Sequence, residues 1–170
     1  MTIFSPNTYP NSTAITITVA SLASTTADPP VGRESTEVLQ STDLAEEVLI
    51  DGKITTGTSP TNARRIRIWA WAGAYDGSTA RRPAGVTGSD AGLTPVGNYK
   101  TGLVLLHHID TNGTSNFTYN FAGISLRQAF GGLILPARWG IFVDHNTGVA
   151  LNSTGSNHEL RYTPLKSQGV

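Results

Sequence analysis

His107-His108-Ile109-Asp110 and the adjacent pair Asp144-His145 place imidazole and carboxylate groups together in the chain. Imidazole and carboxylate groups are the usual ligands of metal sites and the carriers of proton relays. Neighbours on a strand point to opposite faces, so His107 and His108 cannot bind one ion without a bulge, and these histidines read as ordinary edge or loop residues. A nucleophile elbow needs Gly-x-Ser-x-Gly between a strand and a helix. The nearest stretch, Gly123-Ile124-Ser125-Leu126-Arg127, lacks the second glycine, and Ser125 is better suited to capping a helix. Glycoside hydrolysis needs two carboxyl groups facing each other across a sugar ring. The candidates Glu34, Glu37, Glu46, Glu47, Asp110 and Asp144 stand mostly at strand ends or in polar stretches, where solvated charge is the default. No phosphate-cradling Gly-x-x-x-x-Gly-Lys-Ser/Thr run occurs. The chain contains no cysteine, which removes thiolate catalysis, disulfides and cysteine-based metal sites. These readings assign no catalytic, metal or cofactor-binding residue, and the expectation is a protein that is not an enzyme and needs no cofactor.

One chemical feature is left. Between Arg64 and Tyr75, Ile66, Ile68, Ala70 and Ala72 alternate with Arg65, Arg67, Trp69 and Trp71. On a strand the first set shares a face that belongs in a core, and the second set forms a strip of guanidinium and indole groups. Such a strip can stack on sugars or bases, or hold a protein interface. The plainer alternative is that the tryptophans cap a sandwich core while the arginines reach outward. The candidate interface residues are therefore Arg65, Arg67, Trp69 and Trp71, with the aromatics Phe4, Tyr9, Tyr75 and Tyr99.

The elements that position this strip are short strands. Residues 1–12 have two prolines, no charge and little periodicity, and are expected to form an extended arm preceding a single domain over 13–170. Ile15, Ile17 and Val19 alternate with threonines as a half-buried strand would, until Asp28-Pro29-Pro30. Arg33–Gln40 is a weaker strand and Leu44–Thr56 a stronger one, with a turn or bulge at Asp51-Gly52. Asp43 with Glu46 offers a capped helical turn as the alternative. Asp76–Thr101, rich in glycine, reads as a surface excursion rather than framework. Leu103–Leu106, apolar on both faces, suits a central strand covered on both sides. Asn112-Gly113 then turns into Phe117, Tyr119 and Phe121, giving a hairpin with an aromatic face. Ser125 and Gln128 are spaced as a capping box, and Gly131-Gly132 stop a short helix over 126–130. Trp139–His145, Val149–Asn152 and His158–Leu165 complete eight or nine strands. The expected fold is an all-β antiparallel β-sandwich, with a jelly roll ahead of an immunoglobulin-like sandwich.

Length and charge set the remaining bounds. A chain of 170 residues suits one core, and its 12 Lys and Arg balance its 12 Asp and Glu, so it has no broad field to concentrate nucleic acid or an anionic membrane. Neither is expected as a partner. Met1–Pro6 lacks the pattern of a secretion signal, and no stretch is long and apolar enough to span a bilayer, so synthesis in a cytoplasm is expected. The glycosylation-type tripeptides at Asn11, Asn112, Asn116 and Asn152 are explained by the abundance of Asn, Ser and Thr.

Four runs resemble small proteins encoded among the head and tail genes of tailed phages. They are Asp51–Thr61 with the strand Arg65–Trp71, then Trp139–Gly148, then Leu151–His158. The likeness spans roughly 33–165 and consists of turn-and-strand patterns without a catalytic signature. The resemblance implies a structural virion component, foremost a capsid cement or decoration protein on the capsid surface of a bacteriophage. Its expected partners are the major capsid protein and itself, as a homo-oligomer with a homotrimer before a dimer. A carbohydrate-binding module on the virion surface, using Trp69 or Trp71, and a tail adaptor or completion protein are the alternatives.

Overall fold

The computed structural model describes residues 10–40, 45–76, 79–96, 102–132 and 134–166. Phe4, Tyr9, Asp43 and Tyr99 lie outside the described residues, as does the side chain of Tyr75. Among the described residues the chain forms eleven strands: β1 Thr13–Ala14, β2 Gly32–Glu34, β3 Val38–Leu39, β4 Glu47–Thr55, β5 Arg65–Asp76, β6 Thr79–Arg81, β7 Ala91–Leu93, β8 Leu103–Asp110, β9 Thr118–Ser125, β10 Arg138–His145 and β11 Glu159–Leu165. They pair antiparallel in two sheets. The first has the order β1-β11-β4-β9. The second has the order β6-β5-β10-β2-β7, with β3 also on β10 and β8 also on β5. Among the described residues the fold is an all-β sandwich with the short α-helix Leu126–Ala129.

The elements follow from the alternation of side chains. Val48, Ile50 and Ile54 of β4, Ile66, Ile68 and Ala70 of β5, and Ile141 and Val143 of β10 are fully buried and meet between the sheets. Trp139 joins them, its ring edge-on to Tyr162 of β11 at 5.3 Å. The helix α1, Leu126–Ala129, starts where the sequence predicts: Ser125 Oγ accepts from Gln128 N at 2.9 Å and donates to Glu47 Oε2 at 2.6 Å.

Counting β2 and β3 as one interrupted run, the eight principal runs fall in a definite order. The first sheet takes the first, eighth, third and sixth runs, and the second takes the second, seventh, fourth and fifth. The connections 15–31, 56–64, 111–117 and 146–158 therefore gather at one end of the sandwich.

Several expectations are corrected. Leu103–Leu106 does not form a central strand: β8 has β5 as its strand neighbour, and Leu105 is 44% exposed. Its apolar run arises from a bulge. Ile68 pairs with His107 but Trp69 with Leu105, so Leu106 is an extra residue that packs against the core. Phe117–Phe121 does not close a hairpin on β8, because β9 crosses to the other sheet and pairs with β4. A bulge does fall at Asp51-Gly52, where the register shifts between Ile50 and Gly52, but its extra residue lies on the partner strand β9, where Gly123 adopts φ +71°. Val149–Asn152 is a loop with Leu151 buried. Ile15 and Val19 are buried as expected, although the ladder is confined to Thr13–Ala14 and the bond from Ile15 N to Leu160 O. Ser12, inside the segment expected to be an arm, accepts from Arg161 through Oγ at 2.7 Å and through its carbonyl.

The excursion after β5 is framework as well as loop. β7 adds an edge to β2, and Leu93 packs on the outer face of the second sheet with Trp71, Leu103 and Phe142. Carboxylates hold it there. Glu34, fully buried, accepts from Thr87 Oγ1 at 2.6 Å, Thr87 N at 3.0 Å and Gly88 N at 3.2 Å. Glu37 pairs with Arg82 at 2.8 Å and with Arg138. Asp90 accepts from Arg33 Nε at 2.6 Å and from the Thr18 hydroxyl at 2.6 Å. Glu34→Ala leaves the Gly88 amide buried without its acceptor, and is expected to lower unfolding free energy by about 2 kcal/mol in urea titration. Limited proteolysis should then cut first within 82–90.

Candidate functional site

The strip on β5 lies on the outer face of the second sheet, but the excursion divides it. Trp71 is fully buried beneath Leu93, against Leu103 and Phe142, so it is not a stacking platform. Gly140 of β10 makes this packing possible, since a Cβ there would meet the Trp71 indole at 2.4 Å. The period-two pattern assigns the face of Trp71 correctly. It does not reveal that another part of the chain covers that face.

Exposure rises along the rest of the strip. Trp69 is half-buried, with the exposed Leu105 opposite it on β8. Arg67 Nε donates to Asp144 Oδ1 at 2.6 Å, and Trp69 Nε1 donates to Asp144 Oδ2 at 3.3 Å. The Arg67 guanidinium carbon lies 5.9 Å from the Trp69 ring centroid. At the open end, Arg65 pairs with Asp110 at 3.2 Å, where both side chains are mostly exposed. His108 lies 3.9 Å from Asp110. Each arginine thus has an aspartate opposite it in register: Asp144 for Arg67 and Asp110 for Arg65. The surface is an aromatic and aliphatic patch of Trp69 and Leu105, bordered by two neutralised guanidiniums.

Asp144 is the buried member of this site. Burial pushes its carboxyl above the ordinary value of 3.8, while Arg67 and Trp69 act in the opposite direction. Its partners are distant in sequence, yet a signal exists: Asp144 and His145 end the otherwise apolar run Trp139–Val143. A carboxylate and an imidazole in such a strand are buried and require partners.

The other chemical candidates do not converge. Asp144 faces outward, whereas His145 faces the core, with Nε2 on Leu22 O and Nδ1 on Thr147 Oγ1, both at 2.9 Å. His107 packs on Phe121 at 5.6 Å and His108 lies on the outer face. Burial, then the neighbouring His108, lowers the His107 pKa below 6.5. Among the described residues no three His, Cys, Asp or Glu side chains are placed to hold a metal ion. Glu34, Glu37 and Asp144, expected to be solvated, are drawn inside by their donors. Glu47 accepts from Ser125 Oγ and Arg127 N at the helix start.

Arg67→Ala leaves the Asp144 carboxylate buried without its cation, an expected loss of about 3 kcal/mol near neutral pH. A carboxyl whose folded pKa is raised binds its proton more readily when folded, so its unfavourable contribution disappears below both pKa values. The difference in melting temperature between variant and parent should therefore shrink toward pH ~3, and Asp144→Asn in the same chain should restore part of the loss. Comparison of the chain with protein-family models, with curated proteins and with solved structures gave no match.

Proposed function

We propose that this protein is a structural component of a tailed-phage virion, a capsid cement or decoration protein that binds and stabilises the lattice of the major capsid protein. The observation that carries this reading is the order of the eight principal runs, which reads as a jelly roll. Jelly rolls recur in viral capsid and lectin domains, so this support is an analogy of fold. The sequence resemblance to head and tail proteins of phages supports the same assignment. Trp69, Leu105 and the paired Arg65 and Arg67 form a patch suited to a protein surface, with its cations already neutralised. Many copies on a lattice combine weak contacts into stable attachment.

The half-buried Trp69 beside the exposed Leu105 on the outer sheet face favours carbohydrate binding as the second reading, with Trp69 as the platform in place of the buried Trp71. Purified protein incubated with empty capsids of its phage separates the two. A cement protein saturates the lattice in stoichiometric amounts, and Trp69→Ala weakens that binding by about tenfold, as loss of ~1.4 kcal/mol requires. Deletion of residues 1–9, which spares the bonds of Ser12 to Arg161, is expected to leave the domain folded and abolish attachment. Glycan binding by the isolated domain that disappears in Trp69→Ala, with no capsid binding, would replace the cement reading with the lectin one.

A further inference from the structure

We propose that His145 and His158 form an acid-sensitive clamp. In their neutral form they lock Ser21–Leu22 onto Leu151–Asn152, and protonation of either ring loosens that contact.

The contact is a short bridge at the end of the sandwich where four connections meet. Ser21 N donates to Asn152 O at 3.1 Å, and Leu151 N donates to Leu22 O at 2.9 Å. Each of these two carbonyls has a second histidine partner. His145 Nε2 lies 2.9 Å from Leu22 O, and His158 Nε2 lies 2.8 Å from Asn152 O. A carbonyl can only accept, so both rings carry their hydrogen on Nε2. The bridge is extended by Thr25 N on His145 O at 2.8 Å and by Gly148 N on Ser24 Oγ at 2.9 Å.

The second nitrogen of each ring makes the arrangement sensitive to acid. His158 Nδ1 faces the Thr55 amide at 3.4 Å, a group that can only donate. A proton on Nδ1 would set hydrogen against hydrogen, so the imidazolium does not fit this position. His145 Nδ1 faces Thr147 Oγ1, which also reaches Val149 O at 3.0 Å, so a protonated ring could be satisfied in hydrogen bonds. Its obstacle is charge. His145 is fully buried, and neither 19–25 nor 146–151 contains a titratable residue. Asp144, Arg65 and Arg67 point to the opposite face of the second sheet, and Ile66 stands opposite His145. Around His158 the charged groups are Lys53, whose cation disfavours a second positive charge, and Glu159, engaged by Arg161 at 2.7 Å. Burial, as the first cause in both cases, holds the two rings below the ordinary value of 6.5.

A group whose folded pKa is depressed binds its proton preferentially in the open form, so below pH 6.5 opening gains about tenfold per pH unit for each histidine released. The measurement is amide hydrogen exchange on the full chain at about pH 7 and about pH 5.5, expressed as protection factors to remove the intrinsic pH dependence. Protection at Ser21, Thr25, Gly148 and Leu151 should fall by about 10- to 100-fold at the lower pH, while amides of the β5–β10 ladder keep theirs. His145→Gln and His158→Gln should each remove part of that dependence. Should either variant fail to fold, the ring titrations of the unaltered protein decide: midpoints below 6.5 that coincide with the loss of protection support the clamp. Ring midpoints at or above 6.5, equal protection at both pH values, or a uniform loss across the domain would each overturn it.

Discussion

The arrangement depends on β10 being covered on both faces. All eight of its residues are buried, so its inward side chains Trp139, Ile141 and Val143 need one sheet to pack against and its outward Phe142 needs another cover. The first sheet supplies the inner cover. The outer one comes from the excursion between β5 and β8, whose Leu93 packs against Phe142 and Trp71. Because a loop lacks the hydrophobic stripe of a helix, polar bonds to Glu34, Glu37 and Asp90 hold it in position. Buried carboxylates are costly without donors, and each here is satisfied by groups that the excursion itself brings or by its neighbours.

That constraint also shapes the candidate surface. The excursion reaches only part of the outer face, so the strip passes from the buried Trp71 to the exposed pair Arg65 and Asp110 along a single strand. The boundary falls at Trp69, whose ring is half-covered and whose N–H is used by Asp144. A patch so bounded is pre-positioned: its indole is fixed by a hydrogen bond, and Arg67 is fixed by the same carboxylate.

The sequence was informative where side chains alternate and where caps are local. The strand at Arg64–Tyr75, the burial of Ile66, Ile68 and Ala70, the helix begun by Ser125 and the two-sheet architecture all follow from such short-range patterns. It was uninformative where an extra residue breaks the period. Leu106 made β8 look doubly buried, and the extra residue in β9 could not be distinguished from a feature of its partner at Asp51-Gly52. Half of the candidate surface was legible. The order of Arg65, Arg67 and Trp69 could be read from spacing, while the aspartates that neutralise the arginines and the cover over Trp71 come from residues tens of positions away. Coverage is a property of tertiary structure, and alternation within a strand does not encode it.

The two bulges have a consequence for how this molecule can meet others. Among the described residues, β8 and β9 are the marginal strands on one flank of the sandwich, and each carries its extra residue there. A bulge increases local twist and breaks the even spacing of donors and acceptors that an incoming strand would need. Neither strand offers the lysines or prolines that usually discourage such pairing, so the irregular backbone takes over that protective role. The irregular backbone of this flank therefore disfavours extension of either sheet by an added strand.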